Sequence, residues 1–158
     1  MNGKILHATA IAIDGSGVLL TGPSGSGKSD LALRLIDRGA NLVSDDAVAV
    51  VIADGSPVLT PGPNIEGKLE LRGVGICMID HTSSAPLRLV VELTGEIERM
   101  PIANWTKNVS GYDTPLIGLA PFEVSAAIKI EYALRAIVDA GHWPVARQCS
   151  DAAEGQPN

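Results

Sequence analysis

The segment Gly22-Pro23-Ser24-Gly25-Ser26-Gly27-Lys28-Ser29 constrains the fold more than any other stretch of this chain. It satisfies the full Walker A pattern, whose physical demand is specific. Backbone N–H groups must wrap a β-phosphate, so the loop needs glycines that tolerate unusual φ and permit close approach. Lys28 supplies a mobile positive charge for the β- and γ-phosphates, and the Ser29 hydroxyl is placed to ligand Mg²⁺. The context agrees. Val18-Leu19-Leu20-Thr21 reads as a buried strand entering the loop, and Ser29 to Arg38 reads as a helix with Leu31 and Leu35 on one face and Arg34 and Arg38 on another. Gly39 is a natural helix stop. Strand, cradle and helix in that order predict an α/β domain that binds a nucleotide phosphate.

Upstream, His7 to Ile13 reads as a strand, and Asp14-Gly15-Ser16-Gly17 as the turn of a hairpin delivering the chain to the loop. Downstream, Asn41 to Ser44 is a short strand, followed by Asp45-Asp46 and a further strand over Ala47 to Ile52 that ends at Asp54-Gly55-Ser56-Pro57. Residues 60–68 are expected to form a long loop. An apolar stretch over Ile76 to Ile79 follows, with Cys77 expected as a small core residue. Leu87 to Leu93 is a clear strand, and residues 94–115 are rich in turn formers. The last regular element is a helix over Glu123 to Ala140, anchored by Ile128, Leu134, Ile137 and Val138 and stopped by Gly141. The expected organisation is a single domain over 1–146 with a polar, frayed tail over 147–158.

Composition narrows the function classes. Of the 158 residues, 46% are hydrophobic and 19% charged, which is a globular balance, and with only 3% aromatics the core must be aliphatic. A net charge of −6 argues against a general nucleic-acid binder and against electrostatic attachment to an anionic membrane. Phosphate binding stays open, because amides and one lysine act locally. The cysteines, Cys77 and Cys149, carry no disulfide or zinc pattern. No apolar stretch reaches the ~20 residues of a membrane helix, and the expected location is the cytoplasm.

A P-loop names a ligand and leaves the reaction open. Asp45-Asp46 follows a short strand, where an open α/β sheet places site residues, and adjacent carboxylates can divide two tasks. One would help hold Mg²⁺ and the other would take the proton of an attacking hydroxyl. The plainer alternative is a solvated pair opening a turn. Leu69-Glu70-Leu71-Arg72-Gly73-Val74-Gly75 offers an oxygen ligand in Glu70 and a charge stabiliser in Arg72, or simply an exposed ion pair before a glycine turn. His7, His81 and His142 each have structural readings, and Arg99 alone is an ordinary surface arginine.

Together, these pieces resemble the catalytic domain of HPr kinase/phosphorylase. His7 opens the strand before the P-loop, Arg38-Gly39 ends the helix, Leu42-Val43-Ser44-Asp45-Asp46 stands where the family has a Val-Ala-Asp-Asp-like segment, and Leu69 to Gly75 matches its Leu-Glu-Ile-Arg-Gly-Leu-Gly-like signature. The match covers roughly residues 3–100 well and the rest loosely. It implies a P-loop kinase domain with a sheet like that of phosphoenolpyruvate carboxykinases, acting with ATP and Mg²⁺ on a serine of an HPr-like phosphocarrier. It implies Lys28 and the 22–29 loop on the phosphates, Ser29 and Glu70 on the metal with Asp45 in support, and Asp46 as the acid/base. His7 would lie near the reacting phosphate and Arg72 would offset charge. Arg99 is similar to an arginine in an Asp-Arg-Leu-Gly-like segment, with a different local length.

Two departures stand out. The chain resembles a short form lacking the family's N-terminal domain. A Pro-Val-x-x-Gly-Arg-Asn-like loop tied to dephosphorylation is replaced here by Ala120-Pro121-Phe122-Glu123, so the resemblance carries kinase activity further than phosphorylase activity. It also implies a homo-oligomer, which the altered C-terminal third leaves open. A small-metabolite kinase and a nucleotide-sensing module without chemistry are the rival readings.

Overall fold

A computed structural model describes residues 3–94 and 105–140. Its elements are β1 (Lys4–Leu6), β2 (Thr9–Ile13), β3 (Ser16–Thr21), α1 (Lys28–Asp37), β4 (Asn41–Ser44), β5 (Val48–Ala53), β6 (Ser56–Pro61), β7 (Lys68–Leu71), β8 (Gly75–Met78), β9 (Ala85–Leu93), β10 (Thr106–Val109), β11 (Tyr112–Leu119) and α2 (Ala126–Ala140). β1, β5, β6, β9, β3, β2 and β4 lie side by side in that order, while β11 pairs with β9 and β10 with β11. β7 and β8 form a separate two-stranded sheet.

β9 organises the larger sheet. One edge runs parallel to β3 from Leu87 to Glu92. The other is bonded to β6 at Ala85 and Pro86, then to β11 from Val90 to Leu93. A strand segment flanked on both edges and covered on both faces must be apolar, and Leu89, Val90 and Val91 are fully buried, between the exposed Arg88 and Glu92. The two-residue period sorts these side chains. Val18, Leu20, Leu89 and Val91 meet Leu31 and Leu35 of α1 and Ile130, Leu134 and Ile137 of α2. Leu19 and Val90 point the other way, into a second cluster with Ala10, Val43, Val48, Val50 and Leu59. Each fully buried leucine contributes about 1.5–3 kcal/mol relative to exposure, so the P-loop hangs from the most strongly buried part of the chain.

Several expectations need correction. The hairpin turn is Asp14-Gly15 alone, with φ of 49° and 82°, so Ser16 and Gly17 already belong to β3. The loop placed at 60–68 is shorter: β6 occupies Ser56–Pro61 and pairs with β5 across a second two-residue turn, Asp54-Gly55. Part of the 94–115 segment is strand, as β10 and β11 show, while 95–104 lies outside the described residues. Cys77 is not a core residue. It sits half-buried on β8 between Ile76 and Met78, which are exposed. On α2, Leu134 and Ile137 are buried as expected, but Ile128 and Val138 face outward and the buried stripe runs through Ala126, Ala127 and Ile130. Gly141, His142, Cys149, the 147–158 tail and Arg99 lie outside the described residues.

The two helices are joined at the surface by Arg38 and Glu131, with Nη2 to Oε1 at 2.9 Å. The hydrogen bond and charge of Glu131 raise the Arg38 guanidinium above its ordinary value. In solvent such a pair adds little stability. Among the described residues no helix is long and apolar enough to cross a membrane.

Candidate active site

The loop after β3 adopts a shape that only its glycines allow. Gly22, Gly25 and Gly27 have φ of 152°, 81° and 100°, and a Cβ on Gly22 would stand 2.6 Å from Ser26 Oγ. Gly27 is also the N-cap of α1, without a side-chain cap, so the first amides of the helix are left for a ligand. Ser26 Oγ is buried without a hydrogen-bond partner. Lys28 Nζ is folded onto its own loop, 2.8 Å from the Gly22 carbonyl and 3.0 Å from that of Pro23. Amides without acceptors, an orphaned hydroxyl and a lysine held by weak acceptors fit a polyphosphate.

Asp45 ties the neighbouring elements together. Its Oδ1 accepts from Ser29 Oγ at 2.7 Å and from Thr9 Oγ1 at 3.0 Å, and its Oδ2 accepts from the Glu70 amide at 3.3 Å. Burying a carboxylate is tolerable only with such donors, and Asp45 is 8% exposed. The next residue differs in every respect. Asp46 has φ of 70°, and the Ala47 amide donates across it to the Asp45 carbonyl at 2.8 Å. That geometry is a γ-turn of the rare, strained kind. The Asp46 amide donates to Thr9 Oγ1 at 3.3 Å, and the exposed Asp46 side chain lies 3.4 Å from His7 Nε2. Adjacent carboxylates thus point apart, one into the structure and one into solvent.

The β7–β8 hairpin supplies the facing wall. Leu69 is buried against the α1 cluster, which leaves Glu70 and Arg72 exposed. Ser24, Lys28, Ser29, Asp46, Glu70 and Arg72 line one cleft of about 460 Å³. The sequence therefore located the residues that meet here, and the structure joins His7 through Asp46. Thr9, which bridges Asp45 and Asp46, was missed; a lone threonine inside a strand gives no local signal. Phe122 was missed also. It lines the same cleft and abuts Gly27, where a Cβ would come within 2.9 Å of its ring. A comparable depression beside Arg38, Glu131 and Arg135 lacks any such cradle.

Known proteins resemble this chain in sequence and in fold. The family model described as the HPr Serine kinase C-terminal domain matches residues 2–120. This chain belongs to that family. Members similar to it include an HPr kinase/phosphorylase of Burkholderia lata, 38% identical over 148 residues, covering 82% of this chain and 44% of the relative. Another from Chlorobium phaeobacteroides is 35% identical over 130 residues, covering 73% of this chain and 40% of the relative. The chain thus spans less than half the length of these relatives. Among solved structures, the Hpr(Ser) kinase/phosphatase from Coxiella burnetii superposes with a TM-score of 0.75 at 26% identity, covering 87% of this chain and 92% of that one. The α/β P-loop kinase fold expected from the sequence is the fold of this family member.

The cleft suits Mg²⁺ in a particular way. Among the described residues no group of three or more His, Cys, Asp or Glu is placed to hold a metal by itself. Magnesium keeps several waters and binds through one or two carboxylates plus substrate phosphates. Oxygen donors at Ser29, Asp45 and Glu70 beside a phosphate cradle fit that habit.

Proposed function

We propose that this chain is a serine kinase that transfers the γ-phosphoryl group of ATP to an HPr-like phosphocarrier, with Mg²⁺. The observation that supports this most is the meeting, in one cleft, of the phosphate cradle with an exposed, strained Asp46 and the Glu70–Arg72 hairpin. The names of the relatives agree with it.

In the proposed mechanism, the loop amides and the N-terminus of α1 hold the triphosphate. Lys28 leaves the carbonyls of Gly22 and Pro23 for the β- and γ-phosphates. Ser29 and Glu70 would hold the metal, and Asp45 orients Ser29 through their 2.7 Å hydrogen bond. A bound Mg²⁺ would offset charge on the phosphates. Asp46 accepts the proton of the acceptor serine as its oxygen bonds to the γ-phosphorus and the bond to the β-phosphate oxygen breaks, releasing ADP. His7, beside Asp46, faces the same reacting group, and Arg72 offsets charge that develops there. Arg99 would join from the segment outside the described residues.

The proposal covers the kinase direction. Where the family carries Gly-Arg-Asn in a loop tied to dephosphorylation, this chain has the Pro121-Phe122-Glu123 turn. A sensor would have no use for the exposed carboxylate of Asp46, and a metabolite kinase would want a basic lid. A homo-oligomer, a single domain over 1–146 and a cytoplasmic location belong to the same proposal. The test is incubation with radiolabelled ATP, Mg²⁺ and an HPr-like carrier beside its serine-to-alanine form. Label on the serine form alone is expected. Label on neither, with ATP still bound, would reject the reading.

A further inference from the structure

Part of the cleft lining is apolar: Leu33, Leu71, Val74 and Phe122. Phe122 is the only phenylalanine of the chain, and it is 69% exposed. An exposed apolar residue alone means little, but this one is held firmly. Arg34 donates from Nη1 to the Glu123 carbonyl at 3.1 Å and from Nη2 to the Pro121 carbonyl, gripping the residues on either side of Phe122. The Nε of Arg34 is meanwhile engaged by Asp30 Oδ2 at 3.2 Å. Glu123 is tied onward to Lys129 at 2.7 Å, and its carbonyl also accepts from the Ala126 amide at 3.2 Å. The ring edge rests on Gly27, where an added Cβ would lie 2.9 Å from Cζ and 3.1 Å from Cε1.

Such a ring, fixed at its edge and its backbone yet largely exposed in the cleft, is a preorganised flat surface next to the phosphate cradle. Stacking on a preformed surface loses little conformational entropy, and a ring π-face accepts any planar base. Phe122 enters from the side of α1, whose first turn receives the phosphates, whereas Asp46 and His7 stand past the end of β4. That separation assigns it to the nucleotide rather than to the acceptor.

We propose that Phe122, positioned by Arg34, is the platform on which the base of the bound nucleotide stacks, so that it selects nucleotides over bare polyphosphates. This rests on the reading of the 22–29 loop as a nucleotide cradle. Calorimetric titration of the full chain with ATP, ADP and inorganic tripolyphosphate tests it, using wild type, Phe122→Ala, Phe122→Trp and Lys28→Ala. Phe122→Ala is expected to weaken ATP and ADP by about tenfold or more, the loss of one base–aromatic stack. Tripolyphosphate binding should stay within about twofold of wild type, since no stack is lost there. Phe122→Trp should restore nucleotide affinity. Unchanged ATP binding by Phe122→Ala would overturn the platform, as would equal weakening of ATP and tripolyphosphate, which would make the ring a mere prop for the loop. Lys28→Ala separates the two readings: undiminished polyphosphate binding there would reject the cradle itself, whatever Phe122 does.

Discussion

The two walls of the cleft are built in different ways. The wall formed by β3, the glycine loop, α1 and β4 rests on Leu20, Leu31, Leu35 and Leu42, all fully buried, and on β3, which is paired along both edges. The opposite wall is a hairpin paired only with itself among the described residues. Within its strands only Leu69 is fully buried, while Ile76 and Met78, with Val74 in the turn, are open to solvent. Two-stranded hairpins are marginal alone. One of the ties between the walls is the 3.3 Å bond from the Glu70 amide to Asp45. In the proposed mechanism the labour divides accordingly: a rigid wall would anchor phosphate, and a lightly held one would bring Glu70 and Arg72 to it. Regions with few buried contacts open first.

The largest expected effect breaks the rigid wall. Leu20→Ala should cost about 2–5 kcal/mol in urea unfolding, the range for a buried leucine truncation. Asp45→Ala comes next. It strands the donors of Thr9, Ser29 and Glu70, so a loss of about 1–3 kcal/mol is expected. Hydrogen exchange should also rise over residues 68–78 while β3 stays protected; equal loosening of both walls would refute the idea that Asp45 joins them. Thr9→Val should cost about 1 kcal/mol, the worth of its hydroxyl bonds. The smallest effect belongs to the hairpin surface: Ile76→Ser should change stability by less than about 0.5 kcal/mol. A loss near that of Leu20→Ala would mean the hairpin is as firmly built as the wall it faces.

The rigid wall was legible because its signals are local. A glycine-rich loop between an apolar run and a 3.6-residue pattern fixes strand, cradle and helix together, and β4 was placed at Asn41–Ser44 for the same reason. β6 was not legible. Ser56, Pro57 and Pro61 read as turn residues, yet Pro57 and Pro61 pair with Ile52 and Val48, and β9 reaches β6 only at Val58 and Leu59. Proline is tolerated where a ladder is incomplete. The hairpin misled in another way: the run at Ile76 to Ile79 is apolar enough for a core, but hydrophobicity does not say whether anything packs against it. On α2, Leu134 and Ile137 were legible anchors, whereas Ile128 and Val138 are exposed and Ala126, Ala127 and Ile130 are buried instead. In the site, the residue types were readable at Asp45, Asp46, Glu70 and Arg72. Their separation into one buried and one exposed aspartate was not, because it depends on Thr9 from another strand and on a γ-turn that no local pattern announces.

The central claim is that Asp46 performs chemistry while the buried wall performs binding. Asp46→Asn keeps the shape of the side chain and removes its basicity. Single-turnover transfer from preloaded ATP to an HPr-like carrier, with ATP affinity measured on the same samples, tests the claim directly. The account predicts that transfer falls by about a hundredfold or more, as loss of a general base requires, with ATP affinity unchanged. Transfer at the wild-type rate, or a parallel loss of ATP binding, would contradict it.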